Sequence, residues 1–153
     1  MKETDPTNID SSESAARSAI QSLAARYVLS ADTKDHEGLA NCFTEDATLV
    51  AGSVGTFNGR AKILELMQGA PTDGPKARHF TSTHHIDFTG PGSARGVQYF
   101  QVITEIGLDH WGIYEDEYKL IDGQWLFQVR NGIVEDSVAN SVLFGSGSEK
   151  DVL

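Results

Sequence analysis

Residues 111–135 have the sequence WGIYEDEYKLIDGQWLFQVRNGIVE, in which apolar and polar side chains alternate along much of the length. Alternation with a period of two is typical of a β-strand that buries one face. Asp122 and Gly123, near the middle, form one of the residue pairs preferred in two-residue hairpin turns. The stretch therefore predicts a long antiparallel β-hairpin with strands at 111–121 and 124–135.

Two more long strands are predicted immediately before this hairpin. Residues 78–88 and 94–106 are rich in the aromatic and β-branched residues that strands favour. The Gly-Pro-Gly sequence at 90–92 provides a turn between them. A shorter strand is predicted over 47–50. The second half of the chain is thus predicted to be a run of antiparallel strands.

Three helices are predicted in the first half of the chain. Apolar residues recur every three or four positions over 12–32, which predicts an amphipathic helix. Asp35 is a good N-cap for a short second helix that ends at Phe43, and residues 60–68 are predicted to form a third. Helices followed by consecutive strands are typical of an α+β fold. A strongly twisted sheet wrapped around helices would leave an apolar hollow in which a ligand could bind.

The length and the charge of the chain restrict its domain count and its partners. At 153 residues the chain fits a single domain, which we place at 12–145. Residues 1–11 and 146–153 are polar and are predicted to be a flexible arm and a flexible tail. The 22 acidic residues outnumber the 12 basic ones and give a net charge of −10. A protein this acidic is not expected to bind nucleic acid or anionic membrane lipid.

The sequence contains no motif for a cofactor or a metal. None of the 5 histidines has the spacing of a helical metal site, and the glycine-rich nucleotide motifs and the serine-hydrolase motif are missing. The single cysteine, Cys42, excludes an internal disulfide and a Cys-based zinc site. No apolar signal segment or membrane-length apolar run is present. We therefore predict a cytoplasmic protein that uses no cofactor and no metal.

Asp32 and His79 are the first candidates for chemistry. Asp32 lies at the C-terminal end of the first predicted helix, where the helix dipole does not support a carboxylate and favours a cationic or hydrogen-bonding partner. His79 begins the first long strand. A carboxylate that orients an imidazole and stabilises its charged form makes that imidazole a base near neutral pH. A solvated Asp and a solvent-facing His are the alternative interpretation.

Arg130, Tyr27 and several strand residues are further candidates. Alternation over 125–129 predicts that Arg130 points away from the apolar strand face, toward the surface. An inward orientation would instead place a fixed cation beside a leaving anion. Tyr27 lies on the apolar stripe of the first helix. We predict that the substrate is contacted by Tyr99, Gln101, Trp111 and Tyr114.

The predicted strand faces also bear on assembly. Strict alternation in the first long strand puts His79 and His85 on one face and its apolar residues on the other, namely Phe80, Ile86 and Phe88. An apolar face on the second side of a curved sheet favours self-association, and we predict a homodimer, with a homotrimer as the alternative. The acidic residues 115–117 are predicted to form a solvated strand edge.

The chain resembles the SnoaL-like branch of the nuclear-transport-factor-2-like superfamily over residues 15–140. The motifs that carry the resemblance are AIxxLxxRYxxxxD at 19–32, LAxCFTEDA at 39–47, Arg-His at 78–79, GxYEDEY at 112–118 and DGxWxFxxRNG at 122–132. The resemblance implies a cone-shaped barrel, in which a strongly curved antiparallel sheet packs on three N-terminal helices.

The resemblance also implies a function. Cofactor-free lyases of this branch, such as the scytalone and bile-acid dehydratases and the hexachlorocyclohexane dehydrochlorinase, use a His assisted by an Asp to remove a proton while a leaving group departs. On that pattern His79 is the base and Asp32 orients it. Arg130 then stabilises the leaving group, and Tyr27 donates a hydrogen bond. The implied substrate is a small hydrophobic cyclic molecule that loses water or halide or undergoes a double-bond shift.

Other functions stay open at this stage. The second His or Asp that the dehydratases carry in the middle of the sheet has no evident match near Gln101, Val102 or Thr104. The same fold also serves as a non-catalytic small-molecule-binding module or as an assembly module. Either module is the alternative to a lyase or isomerase.

Overall fold

The computed structural model describes residues 11–144, which form three α-helices, six β-strands and a short 3₁₀ turn at 52–54. In chain order the helices and strands are α1 Ser11–Thr33, α2 His36–Ala40, β1 Phe43–Ala51, β2 Gly55–Asn58, α3 Arg60–Gln68, β3 Arg78–Gly90, β4 Ser93–Thr104, β5 Gly107–Ile121 and β6 Gln124–Ser137. The predicted arm, except Ser11, and the predicted tail lie outside the described residues. Within those residues no helix has the length and apolar character needed to cross a membrane.

The six strands form one curved sheet in the order β2-β1-β6-β5-β4-β3. Neighbouring strands are antiparallel except β1 and β6, which run parallel. Phe43, predicted to end the second helix, is instead the first residue of β1. The predicted α+β architecture, a curved sheet on three N-terminal helices, is confirmed, but the sheet is mixed because the chain enters β1 from the helices and pairs it with the last strand.

Helix α1 packs across the inner face of the sheet. Its apolar stripe buries Ile20, Leu23 and Tyr27 in one core with Phe43 and Phe127. The ring centroids of Phe43 and Phe127 lie 5.5 Å apart, and the Tyr27 ring meets both edge-on. Burying side chains of this size stabilises the fold by about 1.5–3 kcal/mol each. The packing fixes α1 on the sheet and so brings its C-terminal end to the start of β3.

A β-bulge at Thr83 divides β3 into two parts with opposite alternation. Thr83 has a φ of 48°, and the pairing of β3 with β4 shifts at this residue. Before the bulge His79 lies on the inner side, and after it His84 and Ile86 do, while His85 is exposed. The predicted sharing of one face by His79 and His85 is therefore wrong, because the extra residue reverses the side on which each following side chain lies.

The same bulge corrects the predicted self-association face. Phe80 precedes it and lies on the outer face, where it is 55% exposed. Ile86 and Phe88 follow it and pack in the core under α1. The three residues do not form one apolar surface, so the predicted oligomer needs a different contact surface.

A second bulge, at Gln128 in β6, reverses the orientation predicted for Arg130. Consecutive residues 117–118 of β5 pair with Val129 and Phe127, so Gln128 is the extra residue. Arg130 therefore follows Phe127 onto the inner face and is completely buried. The predicted surface orientation of Arg130 is wrong, and its inward alternative is the one observed.

Candidate active site

The carboxylate of Asp32 and the imidazole of His79 are in direct contact. Asp32 lies in the last turn of α1 and His79 is the second residue of β3, and Oδ1 of Asp32 is 2.7 Å from Nδ1 of His79. The backbone N–H of His79 also donates to both carboxylate oxygens, each at 3.2 Å. The Asp32 and His79 side chains are 7% and 22% exposed. With Nδ1–H donating to the carboxylate, Nε2 of the neutral ring carries the lone pair.

Arg78 completes the junction between α1 and β3. No basic residue lies in the last turn of α1, so its own sequence does not balance the negative end of the helix dipole. Arg78 Nη1 donates to the backbone oxygen of Asp32 at 3.2 Å and lies 3.9 Å from Oδ2 of the same residue. The start of β3 therefore supplies both the cation and the imidazole that the helix end lacks.

Arg130 is enclosed by aromatic rings and one carboxylate. Its guanidinium carbon lies 4.3 Å from the ring centroid of Tyr27, 3.9 Å from that of Tyr114 and 4.1 Å from that of Phe127. Nε and Nη2 donate to the two carboxylate oxygens of Asp116 at 2.9 and 2.8 Å. Burial alone would lower the pKa of Arg130, but the Asp116 carboxylate outweighs burial and raises that pKa. Arg130 is thus a permanent cation with a fixed counter-ion.

Tyr27 and Tyr114 present two buried phenol rings that both contact Arg130. Burial raises the pKa of both, and the nearby charge of Arg130 opposes the shift at each. The Tyr114 ring stacks on Phe100 with centroids 4.5 Å apart. The negative charge of Asp32 also contributes to the raised pKa of Tyr114. Both phenols therefore keep their protons and can donate hydrogen bonds.

A chain of buried polar contacts leads from Arg130 to β3. Tyr118 donates to Oδ2 of Asp116 at 2.9 Å, and Nε2 of His84 lies 3.0 Å from the Tyr118 hydroxyl oxygen. Asp116 is buried, which corrects the prediction that residues 115–117 form a solvated edge; only Glu115 and Glu117 are exposed. The sequence did carry a signal for the burial of Asp116, because the alternation that buries Tyr114 and Tyr118 also buries the residue midway between them.

Three of the four predicted substrate-binding residues lie away from the dyad. The inner residues of β4 have even numbers, so Tyr99 and Gln101 lie on the outer face, where Tyr99 is 51% exposed. Trp111 pairs with Gln101 and lies on that same outer side. Tyr114 alone is on the inner face with His79. We therefore leave Tyr99, Gln101 and Trp111 out of the proposed site.

The residue across the sheet from His79 is apolar. Val102 pairs directly with His79 on β4 and is completely buried. Gln101 faces outward, and Thr104 donates to Asp109 at 3.5 Å. The position opposite His79, where the dehydratase pattern has a second His or Asp, thus carries a side chain that cannot transfer a proton.

A second His–Asp pair lies next to Val102. His110 pairs with Val102 across β4 and β5, and its Nδ1 is 2.9 Å from Oδ1 of Asp109. Asp109 also accepts hydrogen bonds from the Ser141 hydroxyl at 2.7 Å and from the Val142 backbone at 2.8 Å. Both side chains of the pair are fully buried. The pair anchors the segment after β6 and was missed because Asp109 sits in an irregular part of the strand.

The structure also bears on metal binding. In the described part of the chain, no group of three or more His, Cys, Asp and Glu side chains could hold a metal ion. The candidate site consists of one His–Asp dyad, two phenols and a guanidinium group paired with Asp116.

Solved structures with the same fold come from several bacteria. A protein provisionally assigned as a scytalone dehydratase from Novosphingobium aromaticivorans is 24% identical, with a TM-score of 0.74 over 81% of this chain and 87% of that one. Rv3472 from Mycobacterium tuberculosis, of unknown function, is 27% identical, with a TM-score of 0.73 over 89% and 81%. The hexachlorocyclohexane dehydrochlorinase LinA-type3 from Novosphingobium barchaimii is 22% identical, with a TM-score of 0.71 over 81% and 89%.

Sequence comparison gives one family match. A family model described as a SnoaL-like domain matches residues 12–131, a range that holds all of α1 to β5 apart from Ser11 and includes Asp32, His79 and Arg130. No curated protein matches the chain.

Proposed function

The chain belongs to the SnoaL-like domain family, and we propose that it is a cofactor-independent lyase or isomerase. In this proposal His79 removes a proton from a carbon of a small hydrophobic cyclic substrate. Water or halide is then eliminated, or a double bond shifts. The lyases among the structural neighbours support the reaction class, and the residues of this chain support the base.

The contact between Asp32 and His79 carries the proposal. A buried carboxylate with one oxygen 2.7 Å from Nδ1 fixes the ring orientation and stabilises the imidazolium formed when Nε2 takes a proton. Two further hydrogen bonds from the His79 backbone hold the carboxylate in place. These contacts distinguish His79 from a solvent-exposed histidine, whose ring orientation no buried carboxylate fixes.

The proposed reaction balances without a cofactor. The Nε2 lone pair of His79 takes the proton, and the C–H electron pair becomes the new double bond while the leaving group departs with its own bonding pair. A departing hydroxide receives a proton from the imidazolium and leaves as water, whereas a halide needs none. Without a leaving group, the imidazolium returns the proton to another carbon and the double bond shifts.

The phenols and Arg130 stabilise charge in this proposal. Tyr27 and Tyr114 keep their protons, so they can donate hydrogen bonds to a substrate oxygen or to a departing group as negative charge develops there. Arg130 lies against both rings and favours negative charge at their hydroxyl groups. Because Asp116 neutralises it, Arg130 acts through the phenols more than as a free anion site.

A non-catalytic binding module is the second candidate. The observation that favours it is Val102, an apolar residue at the position opposite His79. A binder of the same fold would use the inner face of the sheet to hold a small molecule without moving a proton.

Deuterium exchange separates the two candidates. We would incubate the protein in D₂O with a panel of mono- and bicyclic ketones, alcohols and chlorides, and follow loss of C–H signal and product formation by NMR. His79→Ala should lower the rate on any active compound by about 10²–10⁴-fold, whereas His85→Ala, an exposed residue of the same strand, should not. An unchanged rate in His79→Ala, or no turnover of any compound by the wild type, would favour the binding module.

A further inference from the structure

Three buried polar atoms on the inner face of the sheet have no hydrogen-bond partner among residues 11–144. They are Nδ1 of His84, Oε1 of Gln98 and Nη1 of Arg130. Gln98 is only 5% exposed and Arg130 is completely buried. Buried polar groups in folded proteins are nearly always paired, so a cluster of unpaired ones indicates a position that a bound molecule or a water occupies.

The three side chains belong to one wall. His84 and Gln98 are direct partners across β3 and β4, and Gln98 is the direct partner of Tyr114 across β4 and β5. Side chains in such pairs stand about 4.5–5.5 Å apart at their Cβ atoms. Arg130 lies 3.9 Å from the Tyr114 ring. We call His84, Gln98 and Arg130 the polar wall.

The hydrogen-bond directions on this wall are fixed by the contacts behind it. Tyr118 donates its proton to Asp116, so its oxygen can only accept from Nε2–H of His84. Burial lowers the pKa of His84, which keeps the ring neutral and leaves a lone pair on Nδ1. Oε1 of Gln98 is a second acceptor, and Nη1 of Arg130 is a donor. The two acceptors belong to directly paired residues, so a hydroxyl group bound there can donate its proton to one of them, and Arg130 supplies a donor on the same inner face of the sheet.

We propose that the polar wall is a hydroxyl-binding subsite and that the substrate carries a hydroxyl group at the end remote from the carbon that His79 deprotonates. The inference rests on the proposed function for the identity of that carbon. On β4 the partner of His79 is Val102, four residues from Gln98, which puts the wall about 13 Å along the strand from the dyad. His84 and Gln98 therefore bind a different part of the substrate from the part that reacts, whereas Arg130 also contacts the two phenol rings of the proposed reaction.

The subsite selects for substrate chemistry. An ether oxygen or a chlorine at that end offers no proton to His84 or Gln98 and leaves both acceptors unpaired in the complex. A site built for a hydroxyl group rejects analogues that lack it much more strongly than a hydrophobic pocket rejects a change in size. The chain should therefore prefer hydroxylated rings to halogenated hydrocarbons of the same shape.

The first test compares two probe molecules, 5-indanol and 5-methoxyindane, by calorimetric titration. The wild type should bind 5-indanol at least about tenfold more tightly, because only the hydroxyl group donates a proton. Gln98→Leu should lose this preference, whereas Gln101→Leu, an outward-facing Gln of the same strand, should keep it. Equal affinities in the wild type, an unchanged preference in Gln98→Leu, or no binding of either probe would overturn the proposal.

The second test observes His84 directly by ¹⁵N NMR. In the free protein Nδ1 should give the signal of an unprotonated ring nitrogen, and 5-indanol should shift it while 5-methoxyindane should not. A protonated Nδ1 in the free protein, or no shift with 5-indanol, would contradict the subsite. Repeating both tests in His79→Ala separates the two proposals, because binding at the wall needs no turnover and should survive that change even if His79 is not a base.

Discussion

Asp116 and Arg130 form a two-point ion pair in which both side chains are completely buried, with contacts of 2.9 and 2.8 Å. The pair lies between α1 and the sheet, under the rings of Tyr27 and Tyr114. A cation in this position has its charge balanced before any substrate arrives. The pair therefore helps to set the shape and the charge of the inner face of the sheet.

Removing Asp116 should destabilise the protein strongly. Asp116→Ala leaves the buried Arg130 without its counter-ion, which costs about 3–5 kcal/mol. Urea denaturation should show this loss, whereas Glu115→Ala, an exposed neighbour, should change the free energy of unfolding by less than about 0.5 kcal/mol. The double variant Asp116→Leu with Arg130→Met should recover most of the stability. A loss for Asp116→Ala no larger than that for Glu115→Ala would contradict the assigned role.

Asp32→Asn should lower activity while the base itself stays in place. The amide can donate a proton toward Nδ1 of His79 and so favour the tautomer in which Nε2 carries the proton and cannot act as a base. We expect turnover of a compound found active in the exchange screen to fall by about 10²–10⁴-fold, and ¹⁵N NMR to show a change in the His79 tautomer. Asp87→Asn, on the exposed part of β3, is the matched control. Full activity with an unchanged tautomer would rule out the orienting role.

The Asp32–His79 contact could be predicted from sequence because neither residue depends on long-range alternation. Asp32 sits at a helix end and His79 at a strand start, where the chain geometry leaves few directions for a side chain. The helix dipole gave a physical reason for Asp32 to seek a partner of this kind. The contact joins the end of a helix to the start of a strand, so it could be predicted without a periodic pattern.

The residues on the inner face of the sheet could not be predicted from the sequence, because two bulges decide which side chains lie there. Thr83 adopts a positive φ without being a Gly, and Gln128 is an extra residue within β6. Each reverses the side on which every later side chain of its strand lies. His84 and Arg130 follow the bulges, so strict alternation assigns both to the wrong surroundings.

Protonation of His84 should make the protein less stable in mild acid. Its pKa in the folded state is lowered by burial, so the unfolded chain binds a proton at a higher pH than the folded one does. The stability that His84 contributes is therefore complete above the unfolded pKa of about 6.5 and is lost as the pH falls from there toward the folded pKa. Urea denaturation between neutral and mildly acidic pH should show a smaller loss in His84→Gln than in the wild type. The exposed His85→Gln should match the wild type, and an equal loss in all three proteins would refute the assignment.

Self-association should use the outer face of the sheet near Phe80 and Tyr99. Both are more than half exposed, and they lie on neighbouring strands, since Phe80 pairs with Gln101 and Tyr99 with Ser82. Two exposed aromatic side chains on neighbouring strands offer apolar surface for a contact with a second copy of the chain. The variant Phe80→Lys with Tyr99→Lys should sediment as a monomer, whereas Leu29→Lys, which alters an isolated exposed residue of α1, should leave the wild-type dimer or trimer intact. A monomeric wild type, or an oligomer that survives both Lys substitutions, would exclude this surface.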